Sequence, residues 1–263
     1  TLFSLTGSNT DCVFQGCTFF TTTFAPAGST AFINVGGARN SFLNCTISIT
    51  SCAPNSSTLN SVFMVSAADN YIGGCLATIG TLSGSIGLVA MYFTSSCTGT
   101  VAVNNTFTVT THTASASEYG VVMSGVGATV RGLSCNFGKG INITASGNYI
   151  EATSLTQRHA ITSGSILIAA STHGCEIHLS NMTFLSGNTT GDVVLNGENN
   201  VIYLRNCAFS ASTPIAVSTG STNRWYSFDH NQVAGSFLQG SKGGTVISSN
   251  TARDTGETFS LKY

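Results

Sequence analysis

One short phrase recurs along this chain of 263 residues and limits its fold more than any other feature. In each copy an alternating apolar segment is followed by Asn or Gly, then often by Cys, and then by a second alternating segment. The clearest copies centre on Asn44-Cys45, Gly74-Cys75 and Asn206-Cys207. Cys17, Cys45, Cys75 and Cys135 fall 28, 30 and 60 residues apart, and a fixed period near 30 is typical of repeat architectures.

The two alternating segments of each phrase are out of step by one residue. A straight strand would therefore send Leu204 and Cys207 to opposite faces, whereas a bend at Asn206 puts both on one side. Asn and Gly tolerate the left-handed backbone that such a bend requires. The phrase therefore predicts a strand, a one-residue left-handed bend and a second strand, with both strands facing one interior.

This pattern resembles the right-handed parallel β-helix of the pectate-lyase and phage-tailspike superfamily. The resemblance implies Asn bends between the strands of each coil and stacks of small or amide side chains inside. We therefore expect an all-β, right-handed parallel β-helix (solenoid) of about ten coils, with one coil near Gly147-Asn148 filling a gap in the repeats. A β-sandwich or jelly roll also uses short strands, but it does not predict a repeated bend. We expect residues 1–263 to be one β-helix domain cut from a longer fibrous chain, because the sequence starts without Met.

The composition excludes several classes of protein. Only 7% of the residues are charged and the net charge is −1, so the chain lacks the basic field that nucleic-acid binding requires. With 42% hydrophobic residues it is too apolar for a disordered chain, and strong helix formers are scarce. The sequence contains no apolar run of roughly 20 residues, so we expect no membrane insertion.

The nine cysteines are predicted to be buried apolar residues rather than ligands. Their number is odd, and neither a CxxC pair nor a Cys/His ligand spacing occurs. We expect one internal stack containing Cys17, Cys45, Cys75, Cys135 and Cys207, which suits a protein assembled in a reducing compartment. We expect no metal and no cofactor.

The densest polar group on the predicted exterior surrounds Cys175. Because Cys175, Ile177 and Leu179 should point inward, Glu176 and His178 should point outward side by side. Tyr203 and Arg205 occupy outward positions one coil later, and Asp192 lies in the intervening loop. Glu176, His178, Asp192 and Arg205 are candidate catalytic residues, since polysaccharide cleavage uses paired carboxylates or an acid with a nearby base. The same group is also consistent with a glycan-binding patch or with solvated strand faces.

A second candidate segment holds the only Trp of the chain. Arg224, Trp225 and Asp229, together with Tyr203, are candidate glycan-binding residues, because aromatic rings beside polar groups can stack on sugars. Alternatively, Tyr226 and Phe228 belong to the core and Trp225 covers a seam or a contact between subunits.

Charge is distributed unevenly, since residues 1–130 contain only Asp11, Arg39, Asp69 and Glu118 as charged side chains. A nearly uncharged half can bury a face against identical copies, and a cyclic trimer would close such an assembly.

We therefore expect a trimeric viral or phage tail fibre or tailspike, located on the virion, that attaches to cell-surface polysaccharide. The alternatives are a polysaccharide-cleaving tailspike (lyase or hydrolase) and an adhesin or autotransporter passenger on a bacterial surface. The residues alone favour binding over catalysis without deciding between them.

Overall fold

The protein is an all-β solenoid in which neighbouring strands are parallel. The structure is a computed structural model and describes residues 1–25, 30–54, 60–83, 88–112, 119–136, 140–155, 165–184, 192–209, 215–217, 222–228, 232–233 and 246–248. No helix occurs among these residues. The expected fold class, a parallel β-helix of the right-handed type, is therefore confirmed.

Each coil contributes strands to as many as three walls. The first wall is a nine-stranded sheet containing, in spatial order, β1 (Phe3–Leu5), β4 (Ala31–Val35), β7 (Asn60–Val65), β10 (Leu88–Phe93), β13 (Tyr119–Met123), β15 (Ile141–Ile143), β17 (Ile166–Ile168), β19 (Val193–Leu195) and β22 (Ile215–Val217).

The second wall follows the same order of coils. It contains β2 (Val13–Gln15), β5 (Ser41–Leu43), β8 (Tyr71–Gly73), β11 (Val101–Val103), β14 (Thr129–Cys135), β16 (Tyr149–Leu155), β18 (Glu176–Ser180), β20 (Val201–Arg205), β23 (Arg224–Phe228) and β25 (Val246–Ser248).

The third wall contains β3 (Thr18–Phe24), β6 (Thr46–Cys52), β9 (Leu76–Leu82), β12 (Thr106–His112), β21 (Ala208–Phe209) and β24 (Gln232–Val233). In the middle of the solenoid β14 pairs with both β11 and β12, so one strand there serves two walls.

The number of complete coils is lower than the ten expected. Among the described residues, six coils have a separate strand in each of the three walls: β1–β3, β4–β6, β7–β9, β10–β12, β19–β21 and β22–β24. The expected coil near Gly147-Asn148 is present as β15 and β16, but Gly147 forms a different corner from the one in the recurring phrase. This coil has no separate third strand, because the end of β16 pairs with the part of β14 that reaches the third wall.

The predicted left-handed bend is confirmed between the second and third walls. Asn44, Gly74 and Asn206 have φ angles of 51°, 65° and 51°. On either side of Asn206, Leu204 is 0% exposed and Cys207 is 1% exposed, so both side chains lie in the core as expected. This corner therefore allows two strands with opposite alternation to bury their apolar residues in one interior.

A further left-handed corner joins the first wall to the second. The residues with positive φ at this corner are Asp11, Arg39, Asp69, Gly99, Gly127, Gly147, Gly174 and Asn199. At several coils the next residue is a buried Asn whose side-chain oxygen accepts the backbone N–H of the neighbouring coil. Asn70 accepts from Asn40 at 2.8 Å, and Asn148 accepts from Ala128 at 2.9 Å. This amide ladder satisfies backbone groups that the turn leaves without strand partners.

The expected single cysteine stack is interrupted after Cys75 and does not include Cys135. The register places Cys17, Cys45 and Cys75 in neighbouring coils at one position, but the next coil has Asn105 there. Cys135 instead pairs with Phe107 and Leu155, whereas Cys207 directly follows the Asn206 bend as Cys75 follows the Gly74 bend, with Met182 at this position in the coil before it. Cys135 is misplaced because the bend of its coil is at Gly132, with a φ of 61°, two residues before the position that the spacing indicated.

The interior is otherwise filled by aromatic and branched aliphatic side chains. Phe42, Phe63 and Phe107 are fully buried, and their rings meet edge to face with centroids 5.7 and 6.4 Å apart. Full burial of one such side chain stabilises the fold by about 1.5–3 kcal/mol. This continuous core fixes the register of the coils and therefore the side-chain columns on the outer faces.

Candidate functional site

The candidate site lies on the outer face of the second wall, where β16, β18 and β20 are adjacent. Ile177 and Leu179 of β18 are buried, whereas Glu176 is exposed and His178 is partly exposed. This is the alternation expected from the sequence. The register then pairs His178 with Glu151 of β16 on one side and with Tyr203 of β20 on the other.

Three rings form an aromatic stack along the solenoid axis. The His178 and Tyr203 rings are nearly parallel, at 18°, with centroids 4.3 Å apart. On the opposite side of His178, the Tyr149 ring lies 5.4 Å away at 37°. Because these rings face one another, their broad faces are largely covered. The stack therefore presents ring edges and polar tips to the solvent, which suits hydrogen bonding to a ligand better than stacking on its rings.

A hydrogen bond fixes the imidazole at the centre of the stack. His178 Nε2 and Glu176 Oε1 are 2.7 Å apart, and both side chains remain partly open to solvent, at 34% and 49%. An ionised carboxylate can only accept a hydrogen bond, so the imidazole donates from Nε2 and its Nδ1 atom is left for another partner. A carboxylate that is hydrogen-bonded to an imidazole is a pair of groups that can serve as a general acid and a general base.

Two further charged groups adjoin the stack. The Arg131 guanidinium lies over the Tyr149 ring, with its central carbon 5.1 Å from the centroid, a cation–π contact. Burial raises the pKa of the Tyr149 hydroxyl, the nearby Glu151 carboxylate raises it further, and Arg131 lowers it. Tyr149 therefore remains a neutral hydrogen-bonding group over the physiological pH range.

These side chains line a shallow cleft of about 450 Å³. Its walls are formed by Tyr149, Glu151, His178, Leu179, Ser180, Tyr203, Leu204 and Arg205. The volume lies within the range of small-molecule sites, and the cleft crosses three consecutive coils. It has the dimensions and the polarity to hold a short extended polar ligand.

The structure brings together three of the four candidate catalytic residues and separates the fourth. Glu176, His178 and Arg205 belong to β18 and β20 beside the cleft. Asp192 instead immediately precedes β19 of the first wall, is 0% exposed, and accepts the backbone N–H groups of Ser165 and Ile166 with its own carbonyl. The expectation that Asp192 in the intervening loop belongs to the exterior polar group is therefore wrong, because its side chain is buried next to a strand of the first wall.

The candidate glycan-binding residues are also divided. Tyr203 belongs to the cleft, and Arg224 is exposed in the same outward column as Glu176 and Val201. Trp225 is only 2% exposed and pairs with the buried Ile202, so its indole cannot stack on a sugar from solution. Asp229 lies outside the described residues.

Sequence reasoning missed Tyr149, Glu151 and Arg131. The alternation of Tyr149-Ile150-Glu151-Ala152 was a usable signal, since it predicts that Tyr149 and Glu151 face outward. Placing them beside His178 also requires the register between coils. That register shifts around Leu133 in β14, where the left-handed Gly132 inserts an extra residue opposite β16.

Comparison of the chain with protein-family models, with curated proteins and with solved structures gives no match. In the described part of the chain, His, Cys, Asp and Glu do not form a group of three or more that could hold a metal ion. The same residues include no helix long and apolar enough to cross a membrane. The functional proposal therefore rests on the geometry of the cleft.

Proposed function

We propose that this chain is the receptor-binding β-helix region of a viral or phage tail fibre or tailspike, and that its cleft binds cell-surface polysaccharide. The observation that carries the proposal is the aromatic stack of Tyr149, His178 and Tyr203, whose polar edges line a cleft across three coils. The recurring Asn bend, which resembles that of the pectate-lyase and tailspike superfamily, supports the proposal of a tail fibre or tailspike.

The glycan would lie along the solenoid axis and bind through hydrogen bonds. Each coil contributes one ring with a polar edge to the stack, and the centroids of neighbouring rings are 4.3 and 5.4 Å apart. A linear chain of hydroxyl groups can satisfy such a row, and water molecules can bridge the remaining gaps. Because the cleft is shallow, we expect weak binding at each site.

A trimer would compensate for weak single sites through avidity. The third wall supports this part of the proposal, since β3, β6, β9 and β12 contain no Asp, Glu, Lys or Arg. Phe20 is 72% exposed on this wall and Leu76 is 45% exposed. Such an uncharged face with exposed apolar groups is suited to burial between copies of the chain. Light scattering would give three times the monomer mass, whereas a monomer would favour an autotransporter passenger on a bacterial surface.

The binding proposal is tested by a glycan array followed by titration calorimetry with the best ligand. We expect Tyr203→Ala to weaken binding at least tenfold, because it removes one end of the stack and a wall of the cleft. Tyr71→Ala is the matched control, since Tyr71 is a 38% exposed Tyr on the same wall in β8, far from the cleft. Equal affinities for the two variants would contradict the proposal.

The alternative function is cleavage of the polysaccharide in the same cleft. It is favoured by the Glu176–His178 hydrogen bond and by a second carboxylate, Glu151, among the lining residues. Incubation with capsular polysaccharide would then release reducing ends or unsaturated sugar, and Glu176→Gln would abolish the release while preserving binding. Binding without any product would leave the attachment function and exclude the enzyme.

A further inference from the structure

We propose that the cleft selects a zwitterionic glycan, one that carries both an amino group and a carboxylate, and that Glu151 and Arg205 read these two groups. This inference rests on the proposed function, since it names the class of glycan that the cleft takes.

Glu151 supplies an uncompensated negative charge at one end of the cleft. It lines the cleft beside Tyr149, and within the described residues its carboxylate makes no hydrogen bond or ion pair. Arg131, a cation of the preceding coil, lies over the Tyr149 ring instead. A ligand ammonium group would provide the missing partner.

Arg205 supplies an uncompensated positive charge at the opposite end. Its side chain is exposed, and within the described part of the chain the guanidinium has no hydrogen-bond acceptor. Its backbone carbonyl accepts from Asn181 and thereby holds the strand end in place. A planar guanidinium with free N–H groups is suited to a bidentate contact with a carboxylate.

The remaining charge near the cleft is already satisfied or lies outside it. Glu176 accepts the hydrogen bond from His178, and Arg224 is not among the residues that line the cleft. Among the described residues that line the cleft, Glu151 and Arg205 are therefore the two charges without a hydrogen-bond or ion-pair partner.

The separation of these two charges matches an extended saccharide. Glu151 pairs with His178 and His178 with Tyr203, so Glu151 and Arg205 are two coils and two residues apart. With strand spacings of about 4.8 Å and rises of about 3.3 Å, their Cα atoms are roughly 12 Å apart. This span is comparable with that of a disaccharide repeat in which an amino sugar alternates with a uronic acid.

The charge pattern also discriminates against other glycans. A uniformly anionic chain would place a carboxylate near Glu151 and meet repulsion, and a neutral chain would desolvate both charges without pairing either. Specificity for a ligand of mixed charge follows from the two unpaired groups rather than from the shape of the cleft.

The test uses one polysaccharide backbone in four chemical forms. An alternating uronic acid–N-acetylglucosamine polymer is anionic, its N-deacetylated form is zwitterionic, its carboxyl-reduced form is neutral, and the doubly treated form is cationic. We expect the full chain to bind the zwitterionic form at least tenfold more tightly than the other three. We expect Glu151→Gln to remove the preference for the amine and Arg205→Gln to remove the preference for the carboxylate, each to within about twofold.

The control variant is Asp69→Asn, which removes a charge at a distant corner where Asn tolerates the left-handed backbone. Asp69→Asn should keep the full preference for the zwitterionic form over the other three forms. Equal binding of all four forms would overturn the charge selection and leave the glycan-binding function standing. Absence of binding to every form, together with no ligand on a glycan array, would overturn both.

Discussion

At the scale of single residues, the fold depends on left-handed corners that only certain side chains tolerate. Asn44 and Asn206 occupy such corners, and the local pattern around them was enough to predict the bend. Arg39 occupies another corner with a φ of 57°, which its residue type does not predict. Its guanidinium donates to both carboxylate oxygens of Asp11 at 2.7 and 2.8 Å, a contact made between coils. Sequence reasoning therefore found the corners defined by local alternation and missed those defined by a neighbouring coil.

A pair of glycine variants separates backbone strain from steric conflict at this scale. Gly174 has a φ of 64° and open space around an added Cβ, so Gly174→Ala should reduce the free energy of unfolding by about 1–2 kcal/mol. Gly197 has a φ of 76°, and an added Cβ would strike the backbone carbonyl oxygen of Thr172. Gly197→Ala should therefore reduce the free energy of unfolding, measured in urea, by at least about 1 kcal/mol more than Gly174→Ala does. Equal losses would mean that the coils are less closely packed at Gly197 than described.

At the scale of elements, buried amides join successive coils where strand hydrogen bonds stop. Asn148 accepts from the Ala128 backbone and donates to the Ala145 carbonyl at 2.7 Å, while 1% of its surface is exposed. Asn105 makes the same kind of bridge in the core, accepting from Cys75 and donating to Ile72. From the sequence, Asn148 indicated only the place of a further coil, because an isolated Asn does not reveal whether its backbone or its side chain is needed.

The amide ladder predicts a large effect from a nearly isosteric change. Asn148→Leu would leave the buried Ala128 N–H without its acceptor and remove the amide donor of the Ala145 carbonyl, which would keep only the Cys175 thiol, and it should lower the free energy of unfolding by about 2 kcal/mol or more. Asn142→Leu is the control, because the buried side-chain oxygen of Asn142 already lacks a partner, and it should change stability by less than about 1 kcal/mol. Denaturant unfolding of both variants measures the difference. A neutral Asn148→Leu would show that the ladder contributes little.

At the scale of the whole molecule, the core is a continuous column that controls which thiols can react. No disulfide bond joins any of the nine cysteines, and seven are buried while Cys12 and Cys17 of the first coil are partly exposed. Burial raises the pKa of Cys75 to about 12 and that of Cys207 to about 11. Because the thiolate is the reactive form, a raised pKa leaves less of it at pH 8.

Alkylation with iodoacetamide at pH 8 should therefore modify two cysteines of the native protein, Cys12 and Cys17, and all nine in denaturant. Mass spectrometry of the intact protein and its peptides measures both results. Rapid modification of Cys75 or Cys207 in the native protein would contradict the closed core.

The candidate site also depends on how the coils of the whole solenoid are stacked. Glu176 and His178 were predicted from one strand, but Tyr149 and Glu151 join them only through the stacking of coils of unequal length. Asp192 shows the converse, because its sequence position between two outward segments suggested a loop and the coil placed it inside. Neither outcome follows from local alternation, since each requires the count of residues between corners.

The stacking of coils in register is the claim on which the cleft depends, and distances between spin labels test it most directly. Val13, Thr129 and Arg224 occupy one outward column, with Thr129 four coils from Val13 and Arg224 eight coils from it. Labels attached through genetically encoded residues should give backbone separations of about 19 Å for Val13–Thr129 and about 38 Å for Val13–Arg224 by pulsed electron paramagnetic resonance. A twofold ratio supports stacked coils, whereas a Val13–Arg224 distance equal to or shorter than the Val13–Thr129 distance would contradict the solenoid and the cleft built on it.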